Sequence, residues 1–195
     1  MRVGVTGIFA SGKGTVCAMF ERLGAHVIDT DVLAREIMEP GQEGLEAVTG
    51  EFGDSFLNPD GSLDRRAMAN FVFADPEKVK RLNAITHPLI HKRTMDLSSG
   101  QGIFMINVPL LFETGLNRLM DRNIVVFAER EQAISRGVLR DRITEKEIGE
   151  RLNHQIPLNE KKNLADYVID NSGSMENTER QVVELWNILK AIRVR

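Results

Sequence analysis

Five short apolar segments recur along the chain and predict the strands of one sheet. Most are continuous runs of Val, Ile and Phe, a pattern typical of strands that helices cover on both faces. The segments lie at residues 2–6, 26–29, 103–108, 123–127 and 167–169. Because helical patterns separate them, the predicted fold class is α/β, with a doubly wound, five-stranded parallel sheet.

The stretch 32–98 interrupts this alternation, since it contains amphipathic helical patterns but no convincing buried strand. Helices are predicted at residues 32–38, 65–73, 76–85 and 88–97. His87 precedes Pro88, so we expect His87 in extended backbone at the start of the last of these helices. The stretch predicts a helical subdomain inserted between the second and third strands.

A second stretch, 131–163, is dense in charge and has breaks at Ile143-Thr144 and Ile156-Pro157. It predicts a helical hairpin with little apolar surface, which is typical of a mobile lid. Its arginines could contact a bound phosphate, or they could belong to a solvated, salt-bridged helix face. Arg136 and Arg140 share one face of the predicted helix, and the other arginines nearby are Arg130, Arg142 and Arg151. The expected domain segments are a core at 1–31, 99–130 and 164–195, the insertion at 32–98 and the lid at 131–163.

The loop after the first apolar segment has the spacing of a phosphate-binding loop. It reads Gly-Ile-Phe-Ala-Ser-Gly-Lys-Gly-Thr, and a predicted helix at 16–23 follows it. Such a loop points backbone N–H groups at one anion, and the helix N-terminus adds further donors. Lys13 supplies a charge for the outer phosphates, and the hydroxyl of Thr15 can lie near a metal ion. The predicted ligand is a nucleoside triphosphate, held by Gly7, Ile8, Phe9, Ala10, Ser11, Gly12, Lys13, Gly14 and Thr15.

Polar side chains follow the strands, where ligands of doubly wound sheets bind. Asp29 and Asp31 lie two residues apart, so in extended backbone their side chains leave on the same face. A carboxylate here could orient an acceptor hydroxyl and receive its proton. Asp31 could also cap the following helix, and the two roles are compatible.

The composition of the chain limits the classes of partner, the cellular compartment and the metal sites that we expect. The chain has 195 residues and a net charge of -3, which does not favour binding to a nucleic-acid backbone. The one cysteine, Cys17, cannot form an internal disulfide and is expected to be a buried packing residue in a reducing compartment. There is no apolar run of about 20 residues and no signal-peptide pattern, so a cytoplasmic protein without membrane contact is expected. The scattered histidines His26, His87, His91 and His154 do not predict a zinc site.

An ordered set of motifs runs across nearly the whole chain. The motifs are Val5-Thr6-Gly7 through Thr15, Val27-Ile28-Asp29-Thr30-Asp31, Asn58-Pro59-Asp60-Gly61, His87-Pro88-Leu89-Ile90, Val108-Pro109-Leu110-Leu111-Phe112-Glu113 and Asp170-Asn171-Ser172-Gly173. Together they resemble the dephospho-CoA kinase family. The resemblance implies a P-loop kinase with a helical CoA-binding domain and a lid. It further implies transfer of the γ-phosphate of ATP to the ribose 3′-hydroxyl of dephospho-CoA, with Mg²⁺.

The resemblance also implies roles for particular residues. Asp31 is expected to activate the acceptor, Lys13 to bind the ATP phosphates and Arg140 to contact the transferred phosphate. Asn171 is expected near the adenine of ATP. From the residues themselves, Asp29 is expected near the acceptor and Thr15 near the metal, and His87 could hydrogen-bond the substrate or cap its helix. We expect a monomer or a weak homo-oligomer.

Two other functions fit parts of the sequence. A nucleoside-monophosphate kinase shares the Gly-Lys-Gly-Thr loop, but its acceptor phosphate would require clustered arginines rather than Asp29 and Asp31. A nucleotide-binding regulatory protein shares the loop as well, but would have no evident use for the helical insertion.

Overall fold

The structure is a computed structural model that describes residues 1–141, 143–153 and 155–193, apart from the side chains of Arg151 and Arg193. Its residues form two compact units. The first unit comprises Met1–Asp29 and Gly100–Arg195, and the second comprises Thr30–Ser99.

Five parallel strands form the centre of the first unit. They are β1 (Arg2–Gly7), β2 (His26–Asp29), β3 (Phe104–Asn107), β4 (Arg122–Phe127) and β5 (Tyr167–Asp170). They are arranged across the sheet in the order β2-β3-β1-β4-β5. The doubly wound parallel sheet is therefore confirmed, and each predicted strand end lies within one residue of the observed end.

Helices connect and cover these strands. The described residues form α1 (Lys13–Arg22), α2 (Thr30–Glu36), α3 (Glu43–Phe52), α4 (Arg65–Phe73), α5 (Pro76–Leu97), α6 (Arg130–Asp141), α7 (Glu145–Asn153), α8 (Leu158–Leu164) and α9 (Met175–Arg193). Two short 3-10 helices lie at Asp54–Phe56 and Leu116–Leu119. None of these helices combines the length and the apolar character that crossing a membrane requires.

The main core of the first unit packs α1 and α9 against the sheet. Phe20 of α1 and Trp186 of α9 contact each other there, with ring centroids 6.3 Å apart. Cys17 is buried in the same cluster, as predicted. Burial, followed by the negative charge of Asp29, raises the pKa of its thiol to about 12, so Cys17 serves packing and carries no thiolate near neutral pH.

The second unit has its own apolar core, and this core explains an error in the predicted helices. Helix α5 runs unbroken through Pro88, so neither a new helix at Pro88 nor an extended His87 is correct. A proline inside a helix costs about 3 kcal/mol. Leu82 and Ile85 before Pro88, and Leu89 and Ile90 after it, pack against one buried cluster. Packing on both sides of the proline holds the helix together.

His87 and His91 lie one turn apart on α5, with ring centroids 6.2 Å apart. Burial lowers the pKa of both imidazoles from their ordinary value of 6.5, and the neighbouring charge of His91 lowers that of His87 further. Both shifts in pKa favour the neutral form of the ring.

The described residues of the charged segment form three helices, α6, α7 and α8, and both predicted breaks, at Ile143-Thr144 and Ile156-Pro157, lie between them. The expected lack of apolar surface is wrong, because these helices enclose a small core. Ile148 and Leu152 of α7 and Ala133 of α6 are buried there together with Ile8 from the loop after β1. Phe9 packs against the same cluster. The segment itself contains few apolar residues, and two of the residues that complete its core, Ile8 and Phe9, lie far away in the sequence.

A buried ion pair fixes α8 to the loop that follows β3. Lys161 is 0% exposed, and its Nζ lies 2.8 Å from Oε1 of Glu113. The same Nζ lies 3.4 Å from the carbonyl oxygen of Pro109, which also accepts a hydrogen bond from Oγ1 of Thr6 on β1. The N–H of Ile156 donates to Oε1 of Glu113 as well. The pair thus joins β1, the loop after β3 and α8.

We predict that acid destabilises the protein through His87 and His91. Since their folded-state pKa values lie below 6.5, the unfolded chain binds more protons as the pH falls below about 6.5, and the free energy of unfolding decreases. Urea unfolding at about pH 7.5 and about pH 5.5 should show this loss. In His87→Gln/His91→Gln the loss should be smaller, and an unchanged pH dependence in that variant would contradict the prediction.

We predict that Lys161→Met destabilises the protein by about 3 kcal/mol, because it leaves the carboxylate of Glu113 largely buried and unpaired. Urea unfolding measures the change. In Lys161→Met/Glu113→Leu most of the stability should return, since no unpaired charge remains. The control is Lys80→Met, which removes an exposed ion pair with Glu77 and should have little effect. Equal losses in the two single variants would contradict the assignment.

Candidate active site

The carboxyl ends of the strands of the first unit lie at one edge of the sheet. Asp29 at the end of β2 pairs in register with Asn107 on β3, and Asn107 pairs with Val5 on β1. Nδ2 of Asn107 donates a hydrogen bond to Oδ2 of Asp29, at 2.7 Å. The carboxylate of Asp29 is thereby fixed at the edge where β1 passes into the Gly-rich loop.

The loop itself forms a tight turn between β1 and α1. The N–H of Ser11 donates to the carbonyl of Ile8, at 3.2 Å, and two residues have positive φ. Gly12, at φ 92°, adopts this conformation without strain. Ala10, at φ 56°, does so at a cost of about 1–2 kcal/mol. A strained backbone of this kind persists where surrounding contacts impose it, and this is common at ligand sites.

The N-terminus of α1 has the features of an anion site. Its N-cap residue, Gly12, supplies no side-chain cap, and the first turn contains no acidic residue. Helices α4 and α5, by contrast, are capped by the carboxylates of Asp64 and Asp75. Oγ of Ser11 is buried and has no hydrogen-bond partner among the described residues. Donors arranged in this way fit a phosphate group.

Lys13 and the hydroxyl-bearing Thr15 lie at the mouth of this loop. Nζ of Lys13 donates to the carbonyl of Ile8, at 3.1 Å, so the side chain folds back along the loop. Thr15 is exposed on the first turn of α1, and Gly14 beside it is also exposed. No group of three or more His, Cys, Asp or Glu residues that could bind a metal occurs among the described residues. A hydroxyl beside a phosphate site fits Mg²⁺, which usually keeps several waters and binds through phosphates.

Asn171, which was expected near adenine, lies beneath the loop in this structure. Its Nδ2 donates to the carbonyl of Ser11, at 2.8 Å, and its Oδ1 accepts from Thr178, at 3.0 Å. A Cβ added to Gly12 would lie 2.1 Å from Nδ2 of Asn171. Glycine at position 12 therefore allows both the positive φ and this contact.

Helix α6 lies against the same region. NH2 of Arg136 donates to the carbonyl of Asn171, at 3.0 Å, and Nε2 of Gln132 donates to the carbonyl of Ser172, at 2.9 Å. Arg140, one turn beyond Arg136, forms two 2.8 Å hydrogen bonds with the carboxylate of Asp141. These bonds raise the pKa of the Arg140 guanidinium. Arg136 thus supports the loop after β5, whereas Arg140 remains exposed.

Sequence reasoning missed the contacts that Gln155 and Lys161 make. Oε1 of Gln155 accepts a hydrogen bond from the N–H of Phe9, at 3.0 Å. Gln155 lies in the turn before α8, where polar residues are ordinary, so no local signal distinguishes it. Lys161 stands beside a second lysine, and only the packing of α8 reveals which of the two is buried. Arg142, His154 and the side chain of Arg151, considered above, lie outside the described residues.

The remaining predicted residues, Asp31 and His87, belong to the second unit. Helix α2 begins at Thr30, so Asp31 lies in its first turn and is not the residue before the helix. The expectation that Asp31 shares a strand face with Asp29 is therefore wrong, because alternation ends where the helix begins. Asp31 is exposed, and His87 is half-buried on α5. In the same unit, an apolar cavity of about 250 Å³ lies between α2, α4 and α5, with Arg65 among its lining residues.

Comparisons with known proteins agree with this geometry. The family model described as CoaE, dephospho-CoA kinase, matches residues 1–177. A dephospho-CoA kinase from Geobacter metallireducens is 43% identical over 190 residues, covering 94% of this chain and 94% of the relative. A dephospho-CoA kinase domain-containing protein from Danio rerio is 41% identical over 193 residues, covering 96% of this chain and 84% of the relative.

A solved structure extends the likeness to the fold. Dephospho-CoA kinase from Campylobacter jejuni superposes with a TM-score of 0.72 at 27% identity, covering 96% of each chain. With the family model matching most of the chain and a phosphate-binding loop at the expected edge of the sheet, the protein is a kinase and belongs to the dephospho-CoA kinase family.

Proposed function

We propose that this protein transfers the γ-phosphate of ATP to the ribose 3′-hydroxyl of dephospho-CoA, which yields coenzyme A and ADP. ATP-dependent phosphorylation of dephospho-CoA is the activity of the family to which the chain belongs. The acceptor atom, the roles of individual residues and the use of Mg²⁺ are the parts proposed.

The observation that carries the proposal is the N-terminus of α1, which has no side-chain cap. The loop before it contains a buried hydroxyl, that of Ser11, with no hydrogen-bond partner in the described part of the chain. This arrangement supports binding of the ATP phosphates by backbone N–H groups and by Lys13. Lys13 reaches the loop carbonyl of Ile8, and a rotation of its flexible side chain would turn the ammonium toward a bound phosphate.

Transfer breaks the bond between the γ-phosphorus and the oxygen that bridges it to the β-phosphate, and forms a bond to the ribose oxygen. Little covalent chemistry is left to the protein, so its residues act by positioning and by charge. We assign Asp31 to orient the acceptor hydroxyl and to receive its proton. We assign to Arg140 the stabilisation of the negative charge on the transferred phosphoryl group, since its guanidinium lies exposed on α6.

The acceptor is assigned to the helical insertion at 32–98. The apolar cavity of about 250 Å³ in this unit, with Arg65 among its lining residues, supports an acceptor that has an apolar arm and phosphate groups. His87 and Asp29 remain predicted acceptor contacts, Asn171 a predicted nucleotide contact and residues 131–163 a predicted lid.

Mg²⁺ would be held through the phosphates and the hydroxyl of Thr15, with the carboxylate of Asp29 as a second candidate at the same edge. When bound, it neutralises charge on the phosphate oxygens. The carboxylate of Asp29 is already oriented by a hydrogen bond from Nδ2 of Asn107, and it would hold the ion either directly or through a water.

A comparison of acceptors tests the proposed function. ADP release from MgATP is measured with dephospho-CoA, with AMP, with CMP and without an acceptor. We expect turnover only with dephospho-CoA, and its loss in Lys13→Ala would assign that turnover to this loop. Preferred turnover of AMP or CMP would instead support a nucleoside-monophosphate kinase, and slow hydrolysis that no acceptor stimulates would support a regulatory protein.

We predict that Asp31→Asn lowers kcat on the order of 10²-fold or more, because it removes the proposed proton acceptor. The KM for ATP should change little, since Asp31 is not assigned to the nucleotide. Steady-state kinetics with dephospho-CoA give both constants. Glu36→Gln, another exposed carboxylate on α2, is the matched control and should leave both unchanged. A normal kcat in Asp31→Asn would remove Asp31 from the mechanism.

A further inference from the structure

Phe9 lies in the phosphate-binding loop, but its side chain belongs to the small core between α6 and α7. The ring is half-buried and packs against the cluster that contains Ile148 and Leu152 of α7. Its backbone N–H donates to Oε1 of Gln155, at 3.0 Å, in the turn after α7. One residue therefore joins the loop to the segment 130–164 through both its main chain and its side chain.

A glycine on α6 makes room for this ring. A Cβ added to Gly137 would lie 2.9 Å from Cε1 of Phe9 and 2.9 Å from Cδ1 of Ile148. Real Cβ atoms do not come so close to carbon atoms, so an alanine at this position would have to displace one or both side chains. The position of the ring relative to α6 is thus set by a close steric fit.

The same ring is a surface on which Arg140 lies. Arg140 follows Gly137 by three residues, so the two positions share one face of α6. The Cζ atom of Arg140 lies 5.3 Å from the centroid of the Phe9 ring, a distance at which an arginine and an aromatic ring attract each other. The carboxylate of Asp141 also orients this guanidinium.

We propose that Phe9 is a positioning residue for phosphoryl transfer, whose ring holds the guanidinium of Arg140 at a defined place relative to the loop that binds the ATP phosphates. The inference rests on the proposed role of Arg140. The backbone of Phe9 is part of the phosphate-binding loop. The position of its ring, and with it the position of the Arg140 guanidinium, therefore depends on the conformation of that loop. Misplacement of a catalytic group by about 1 Å can slow a reaction on the order of 10²-fold.

The substitution Phe9→Leu tests this inference, because leucine retains apolar bulk and the backbone N–H but has no ring face. We expect kcat with dephospho-CoA to fall about 10- to 100-fold, with KM values for ATP and dephospho-CoA within about threefold of the wild type. Gly137→Ala should have a similar effect, because it displaces the ring. The control is Leu139→Ala on the same helix, whose side chain is 80% exposed and should not matter.

Double variants separate positioning from a general effect on the loop. In an Arg140→Ala background, Phe9→Leu should change kcat by less than about twofold, because its effect passes through Arg140. Phe9→Leu/Gly137→Ala should be no slower than the slower single variant. Thermal unfolding of each variant verifies that it is folded at the assay temperature.

Two results would overturn the inference. One is a kcat within about twofold of wild type in Phe9→Leu. The other is a double variant, Phe9→Leu/Arg140→Ala, in which the fold-decrease in kcat equals the product of the decreases in the two single variants. Failure of the proposed function looks different, since the wild-type protein would then show no turnover with dephospho-CoA. A normal kcat in Arg140→Ala would overturn both the role of Arg140 and this inference.

Discussion

The shape of the phosphate-binding loop is the constraint on which the rest of the site depends. Within the loop, the carbonyl of Ile8 accepts hydrogen bonds from the N–H of Ser11 and from Nζ of Lys13. Remote side chains also hold it, with Asn171 bound to the carbonyl of Ser11 and Gln155 bound to the N–H of Phe9. Tight packing completes the support, since a Cβ at Gly7 would lie 2.4 Å from the carbonyl oxygen of Val126 on β4. The loop is therefore built jointly by β1, β4, the end of β5 and the turn before α8.

The same contacts connect the segment from α6 to α8 to the loop and to the sheet. Arg136 extends the support of the loop by binding the carbonyl of Asn171, and Lys161 fixes α8 to Glu113 after β3. The segment therefore has defined anchor points: Gln155 and the Lys161–Glu113 pair at its end, and Phe9 at its core. If it moves during the reaction, as predicted for a lid, these anchors limit how the movement can occur.

The sequence predicted those parts of the molecule that depend on local pattern. Continuous apolar runs identified all five strands, and the spacing of Gly7, Gly12 and Lys13 identified the loop. The parts that it did not predict depend on contacts between distant residues. Phe9 and Gln155 are 146 positions apart, and Ser11 and Asn171 are 160 apart. Likewise, the local sequence predicts a helix boundary at Pro88. It cannot show the packing against other helices of the unit that outweighs the local effect of the proline.

The central claim is that the ribose 3′-hydroxyl of dephospho-CoA receives the phosphate. The most direct measurement is the ¹H–³¹P correlation spectrum of the product formed from MgATP and dephospho-CoA. We expect a new phosphomonoester signal that correlates with the proton on the 3′ carbon, and no product from an acceptor that lacks the 3′-hydroxyl. A correlation with the 2′ proton, or phosphorylation of the 3′-deoxy acceptor, would contradict the claim.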